Sequence, residues 1–443
     1  MPARQLRGDP IAPITRRHAR TMNKHLRFAT LVASAAIIVG ACGGSAATTA
    51  PESMAPESTA PESMAPESMA PESMAPASLS GEVTLWHSYS SGAGTELDGL
   101  NQILDAVKAE NPDLVVNVLE VPFNDIYNKW NTDVATGGGP TMFIAPNDSL
   151  GFQSREGVLA DIDSLLADSL GDTVQVAVDG SKVDGKLFMV PESLKAVAAV
   201  YDSAKIATAP ATTDELLAGV KDGSIKAGFF AIGQAYHNFG WWAAFGGQLM
   251  DDTGKCIADT TGVADAYQYM ADLQDAGAKM YANYDDMANA YKAGDIDYIV
   301  DGPWATGGYK EAVPTTAVAP MPAGPAGPAQ PLTGVDGWYI NPNTPDLQLA
   351  VDFAKAMTTQ ASQQVMVDVA GHIPANKNIT ITDPITQGFA DAVSTGFPRP
   401  QVQQLDNFWG NFSNAWQLVL ESGADPVQSV ADACAAMNQA NGF

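Results

Sequence analysis

Val83-Thr84-Leu85-Trp86 is a short apolar run, and beyond it Leu97, Leu100, Ile103, Leu104 and Val107 recur at the three-and-four spacing of one helix face until Asn111-Pro112 ends the pattern. This strand-then-helix unit repeats along the chain. Residues 114–121 read as a second strand, 125–134 as a helix and 141–145 as a third strand. Segments 186–190, 228–232, 264–276 and 298–300 continue the alternation. Such alternation predicts an α/β protein with mostly parallel sheets, whose ligands gather at loops beyond the carboxyl ends of strands. From Gly81 to Phe443 the chain is long for a single core and suits two lobes.

Upstream lies a different kind of sequence. Lys24 and Arg27 precede an apolar stretch over residues 28–39, and Ile37-Ile38-Val39-Gly40-Ala41-Cys42 closes it. A basic start, an apolar run and small residues make a secretory signal. The run is shorter than the roughly 20 residues of a membrane-spanning helix. Cysteine directly after Val-Gly-Ala resembles the bacterial lipobox, in which the thiol is lipidated and becomes the new N-terminus. Residues 1–41 are therefore expected to be removed and Cys42 to carry the anchor. Translation starts at Met1 or Met22, and the sequence leaves both open; Arg16-Arg17 lies too far from the apolar run to act as a twin-arginine signal.

Pro51-Glu52-Ser53-Met54-Ala55 then recurs to Ala75, with Thr59 once in place of Met. A proline in every unit breaks any helix and a glutamate in every unit makes the segment self-repelling, so residues 42–80 read as an extended stalk. The whole chain carries −27, and its leader is basic, so the remainder is more acidic still. That balance disfavours nucleic acid and anionic lipid as partners. Cys256 and Cys434 follow Cys42; outside the cytoplasm they could pair, but they are far apart and neither sits in a CxxC, which leaves pairing open.

Loops at the strand ends are rich in aromatic and amide groups. Trp86-His87-Ser88-Tyr89 follows the first strand and Pro146-Asn147-Asp148 the third. Tyr236-His237-Asn238-Phe239-Gly240-Trp241-Trp242 precedes Gly246-Gly247, Gly302-Pro303-Trp304 follows another strand, and Phe408-Trp409 comes near the end. Aromatic faces stack on the C–H faces of a sugar ring while Asn and Asp bond its hydroxyls. A core role is the competing reading for any one of these aromatics. Trp130 and Trp416, surrounded by helical neighbours, are the better core candidates.

Several longer stretches resemble one family. Val121-Pro122-Phe123-Asn124-Asp125-Ile126-Tyr127-Asn128-Lys129, Phe143-Ile144-Ala145-Pro146-Asn147-Asp148, Asp184-Gly185-Lys186-Leu187-Phe188-Met189-Val190-Pro191-Glu192-Ser193, Asp301-Gly302-Pro303-Trp304-Ala305, Val318-Ala319-Pro320-Met321-Pro322-Ala323-Gly324-Pro325 and Gly371-His372-Ile373-Pro374-Ala375-Asn376-Lys377 occur in the order found in extracellular solute-binding proteins of the maltose/maltodextrin-binding type. The resemblance implies a periplasmic-binding-protein-like fold: two α/β lobes, residues 81–195 with 335–380 and residues 196–334 with 381–443, joined by a three-crossing hinge near 193–197, 330–337 and 378–384. It implies a lipid-anchored, extracytoplasmic monomer on the cell membrane that binds a carbohydrate between the lobes, delivers it to an ABC permease with its cytoplasmic ATPase, and needs neither cofactor nor metal. By the same resemblance Asp148 bonds sugar hydroxyls, with Asn147 beside it. Trp304 and Trp409 are platforms beneath sugar rings, Tyr236 and Phe397 line the cleft, and the loop from Trp86 through Tyr89 to Ser90 faces it.

Three positions depart from the family pattern. Lys195 stands where an acidic residue is usual, Ala145 where an aromatic is, and Ser149 where a basic residue is. Lys195 either bonds hydroxyls, selects an acidic sugar or phosphorylated polyol, or turns outward at the hinge. A lipid-anchored glycan-active enzyme is the alternative of another class. The sequence holds no GxSxG and no HExxH, and only His87, His237 and His372 follow Cys42, which disfavours triad and metal chemistry without excluding a carboxylate pair. Which sugar is bound, and of what length and linkage, is not written in the sequence.

Overall fold

The computed structural model describes residues 78–89 and 95–443. The leader, Cys42, the repeat segment and Ser90 lie outside the described residues. In chain order the strands are β1 (Gly81–His87), β2 (Leu114–Glu120), β3 (Met142–Pro146), β4 (Lys182–Val183), β5 (Lys186–Leu187), β6 (Met189–Lys195), β7 (Ala198–Asp202), β8 (Ala227–Phe230), β9 (Lys279–Tyr281), β10 (Tyr298–Asp301), β11 (Thr316–Ala319), β12 (Leu332–Ile340), β13 (Ile373–Pro374) and β14 (Phe397–Pro398). One seven-stranded sheet runs β13-β6-β12-β3-β1-β2, with β14 on β12; a five-stranded sheet runs β11-β7-β10-β8-β9.

The opening unit folds as its pattern dictates. Helix Glu96–Glu110 starts on Thr95, whose hydroxyl accepts from the Asp98 amide, and carries Glu96 and Asp98 in its first turn and Lys108 in its last, matching the helix dipole. Leu100, Ile103, Leu104 and Val107 are its buried face. All five residues of β3 are buried, as a strand paired on both sides requires. Trp130 and Trp416 are fully buried, and Trp416 stacks on Tyr267 at 3.5 Å between ring centroids.

The sheets are mixed, which corrects the expectation of mostly parallel ones. β1 is parallel to β2 and β3, and β8 to β9 and β10, but β12 is antiparallel to β3 and β6, and β7 to β10 and β11. A parallel crossover needs a dozen or more residues, usually a helix. Between β6 and β7 the chain has two, Ala196 and Val197, both fully buried, so it passes straight from one sheet into the other. The chain returns through residues 320–331 into β12, which enters the first sheet antiparallel to β3 and β6 and parallel to β14.

Cys256 and Cys434 are joined by a disulfide, which settles the pairing the sequence left open. Helix Pro426–Asn441 packs on helix Val263–Asp275 and beside the turn at Ala258–Thr260, and the Cys256 amide donates to the Asn438 side chain, so packing brings the two thiols together. Among the described residues no helix is long and apolar enough to cross a membrane.

Candidate functional site

β14 brings an arginine into the middle of the molecule. The Phe397 and Arg399 amides donate to the carbonyls of Pro331 and Thr333, extending a short parallel ladder along β12. The Arg399 side chain is wholly buried. Its Nη1 donates to Asn147 Oδ1 at 3.0 Å and to the Asp148 carboxylate. Its guanidinium lies 5.3 Å from the Tyr236 ring centroid and 5.4 Å from that of Trp409. A planar cation between two aromatic faces gains from both ring quadrupoles. Burial disfavours the charge, but Asp148 together with Tyr236, Tyr127 and Asp336 outweighs it, so the guanidinium pKa is raised. Nε and Nη2 have no partner among the described residues.

Asp148 sits just past β3. Its neighbour Asn147 is a strut: its backbone N–H donates to Val335, its Oδ1 accepts from the Val335 amide and from Arg399, and its Nδ2 donates to the Gly180 carbonyl. With both ends of the amide engaged and 1% of the residue exposed, Asn147 positions Arg399 from behind. Asp148 keeps 31% of its side chain exposed.

Lys195 turns inward. Its Nζ lies 3.0 Å from Asp336 Oδ1, with both side chains largely covered, and 5.4 Å from the Trp304 ring centroid. The two residues come from adjacent antiparallel strands, Lys195 ending β6 and Asp336 in mid-β12. Burial pushes the Asp336 carboxyl up, against the pull of Lys195 and then His372.

Trp304 follows β10 and is aimed by its own hydrogen bond: Nε1 donates to the Tyr284 hydroxyl at 2.8 Å, and Tyr284 in turn donates to Asp301 at 3.0 Å. Tyr309 also donates to the same Asp301 oxygen. Gly302 is required here, because a Cβ on it would lie 2.0 Å from the Trp304 ring. The Trp304 and Tyr236 rings are 6.2 Å apart; burial raises the Tyr236 pKa, and its hydroxyl has no partner among the described residues. His237, beside them, is buried; among the described residues neither ring nitrogen is hydrogen-bonded, and Nε2 lies 3.6 Å from Asp301 Oδ1.

These contacts join Asp148, Lys195, Tyr236, Trp304 and Trp409 of the sequence-expected set into one constellation that also contains Arg399 and Asp336. The carboxylates and Lys195 come from the seven-stranded sheet and its loops; Tyr236, Trp304 and Trp409 from segments after β8, β10 and β14. Phe397 stands at the margin, 37% exposed, its ring 5.8 Å from Phe239. Tyr89 is buried against His87 and His372, with its hydroxyl pKa raised by burial and Glu192. Trp86 is not brought in: it is 5% exposed in the core, its ring covered by the Lys129 ammonium at 4.5 Å. Sequence reasoning missed Arg399 and Asp336. A charged residue inside the nine-residue apolar strand β12 was a signal for Asp336; nothing in Phe397-Pro398-Arg399-Pro400 announces a buried cation.

Chemically the site offers half-covered aromatic rings flanked by ion pairs. Each cation is already neutralised, Arg399 by Asp148 and Lys195 by Asp336. Among the described residues no group of His, Cys, Asp and Glu could hold a metal ion.

The family model described as "Bacterial extracellular solute-binding protein" matches residues 102–391. A Thermus thermophilus maltotriose binding protein, solved with maltotriose, has the same fold: TM-score 0.74, 27% identity, covering 81% of this chain and 100% of that one. A maltotriose-binding protein of Pyrococcus abyssi is 25% identical over 77% of this chain and 78% of its own. A maltooligosaccharide ABC transporter solute-binding lipoprotein of Streptococcus pneumoniae is 23% identical over 65% and 73% respectively.

Proposed function

The chain belongs to the bacterial extracellular solute-binding protein family, and from that premise we propose that it captures a maltodextrin-like oligosaccharide between two α/β lobes and delivers it to an ABC permease. The observation that carries the reading is the constellation itself: Tyr236 and Trp304, on segments after β8 and β10 of the five-stranded sheet, and Trp409, on the helix after β14, gather around the Arg399–Asp148 and Lys195–Asp336 pairs. The relatives named for maltotriose and maltooligosaccharide support the choice of sugar. Trp304 and Trp409 act as platforms, and Asp148 bonds hydroxyls through the part of its carboxylate that Arg399 leaves exposed. Residues 81–195 with 335–380 form one lobe and 196–334 with 381–443 the other. They close about the segments near 193–197, 330–337 and 378–384.

Paired cations favour a neutral sugar over an acidic sugar or a phosphorylated polyol. An anionic ligand at Lys195 would have to displace Asp336, leaving a buried carboxylate without its partner. The receptor reading holds the protein at the outer face of the cell membrane by a lipid on Cys42, as the streptococcal relative's name suggests for that protein.

Thermal melting against a saccharide panel tests this. Neutral malto-oligosaccharides should raise the melting temperature, since a ligand at ~100 times its Kd adds about 2.7 kcal/mol to the folded state. Glucuronides and sugar phosphates should leave it unchanged, and no product should accumulate. Stabilisation by the anionic compounds alone, or turnover of any glycan, would reject the reading.

A further inference from the structure

Asp301 closes β10 and is wholly buried, so it reaches no surface a ligand could touch. Among the described residues no lysine or arginine pairs with it, which leaves hydrogen bonds to hold the buried carboxyl. Its Oδ2 accepts from the Tyr284 and Tyr309 hydroxyls, and its Oδ1 accepts from the Gly302 amide at 2.8 Å. Burial, and then Asp301 itself, raises both phenol pKa values, so both hydroxyls keep their protons and donate.

The direction of the chain follows from what each group can do. An indole N–H only donates, so Tyr284 accepts from Trp304 and must turn its own proton elsewhere. A carboxylate accepts from every side and ends such a chain; a hydroxyl or an amide in its place would compete as a donor. His237 fills the angle between the aromatic rings, edge-on to Tyr236 at 5.4 Å and to Trp304 at 6.0 Å, with Nε2 toward Asp301. One carboxylate therefore stands behind both rings.

We infer that Asp301 is a positioning residue of the binding site: it sets the angle of the Trp304 ring through Tyr284 and backs Tyr236 through His237. The inference rests on the saccharide reading above. A ring fixed before the sugar arrives has less freedom to lose on binding. The chain therefore shows in affinity, although neither Tyr284 nor Asp301 meets the sugar.

Calorimetry with maltotriose on the whole protein, joined to NMR of the Trp304 indole N–H, tests it. That signal is assigned by its loss in Trp304→Ala. Tyr284→Phe removes the acceptor of the indole proton and keeps the bulk of the ring. Asp301→Leu removes the end of the chain at similar volume. Both should weaken maltotriose binding about fivefold, the scale of one hydrogen bond, and quicken exchange of the Trp304 indole proton with solvent. Tyr291→Phe is the control, since its buried hydroxyl bonds Thr316 at 3.0 Å and leads to neither ring. It should lower the melting temperature and leave affinity and indole exchange unchanged. If Asp301→Leu does not fold, Tyr284→Phe decides alone. Wild-type affinity or wild-type indole exchange in either folded variant, or an equal loss of affinity in Tyr291→Phe, overturns the positioning role and spares the receptor reading. Failure of wild type to bind maltotriose overturns both.

Discussion

Arg399 and Asp148 form an ion pair between residues 251 positions apart in the chain, with the arginine fully covered and the aspartate partly open to solvent. That asymmetry decides what each deletion does. Asp148→Ala strands a buried guanidinium and should destabilise the protein by about 3–5 kcal/mol, the usual cost of breaking a buried pair from one side. Arg399→Met leaves a carboxylate that water can still reach, and should cost clearly less. Urea unfolding of the two variants gives the comparison; equal losses would mean that Asp148 is as desolvated as Arg399.

Trp304→Ala and Trp409→Ala should each weaken saccharide binding by roughly one to two decades, taking a stacked ring as worth about 1–3 kcal/mol by analogy with aromatic–base stacking. Their melting curves should stay close to wild type, because both rings are only partly buried. Titration calorimetry reads the loss, and wild-type affinity in both variants would remove them from the site.

His372 is buried between Glu192, 3.0 Å from Nδ1, and Glu96, 3.0 Å from Nε2. Burial alone would lower its pKa, but the two carboxylates outweigh it and hold the pKa well above 6.5. A folded-state pKa raised in this way gives stability that is complete below the unfolded value of about 6.5 and is lost as pH rises through the folded value. Wild type should therefore lose stability on going from pH 6.5 into the alkaline range, and His372→Gln should flatten that slope. Denaturant midpoints across this range are the measurement; a slope unchanged in the variant would clear His372.

Cys434→Ser, or reduction of the wild type, should lower stability by about 2–4 kcal/mol, because the Cys256–Cys434 bridge closes a loop spanning 178 positions. Melting with and without reductant should converge in the variant and diverge in wild type.

Cys42→Ala should move the expressed protein from the membrane fraction to the soluble fraction with saccharide affinity unchanged. A variant that stays on the membrane through a salt wash would argue against the lipid anchor.

What the sequence revealed follows the range of the forces involved. Helix Glu96–Glu110 was readable because its buried face, its stop at Asn111-Pro112 and the strand before it all lie within some thirty residues. The aromatic loops were readable for the same reason: Gly302-Pro303-Trp304 carries its own strand end and its own tight approach. Arg399 was not, since its burial depends on β12, on the loop after β3 and on two rings from separate helices. Lys195 stayed ambiguous until the register of β6 and β12, which sets Gly334 opposite Lys195 and Asp336 opposite Ser193, brought the Asp336 carboxylate diagonally within reach of it. The disulfide and the mixed sheet order likewise belong to long-range packing, which local periodicity does not encode.

The uneven burial of the indoles gives the protein a built-in optical channel. Of its eight tryptophans, Trp86, Trp130, Trp241, Trp242, Trp338 and Trp416 are each at most 5% exposed, which leaves Trp304 and Trp409 as the two in partial contact with solvent. A water-soluble quencher such as acrylamide should therefore extinguish emission mainly from the constellation, while the six buried rings supply a steady background. Occupancy can then be followed by fluorescence without any label.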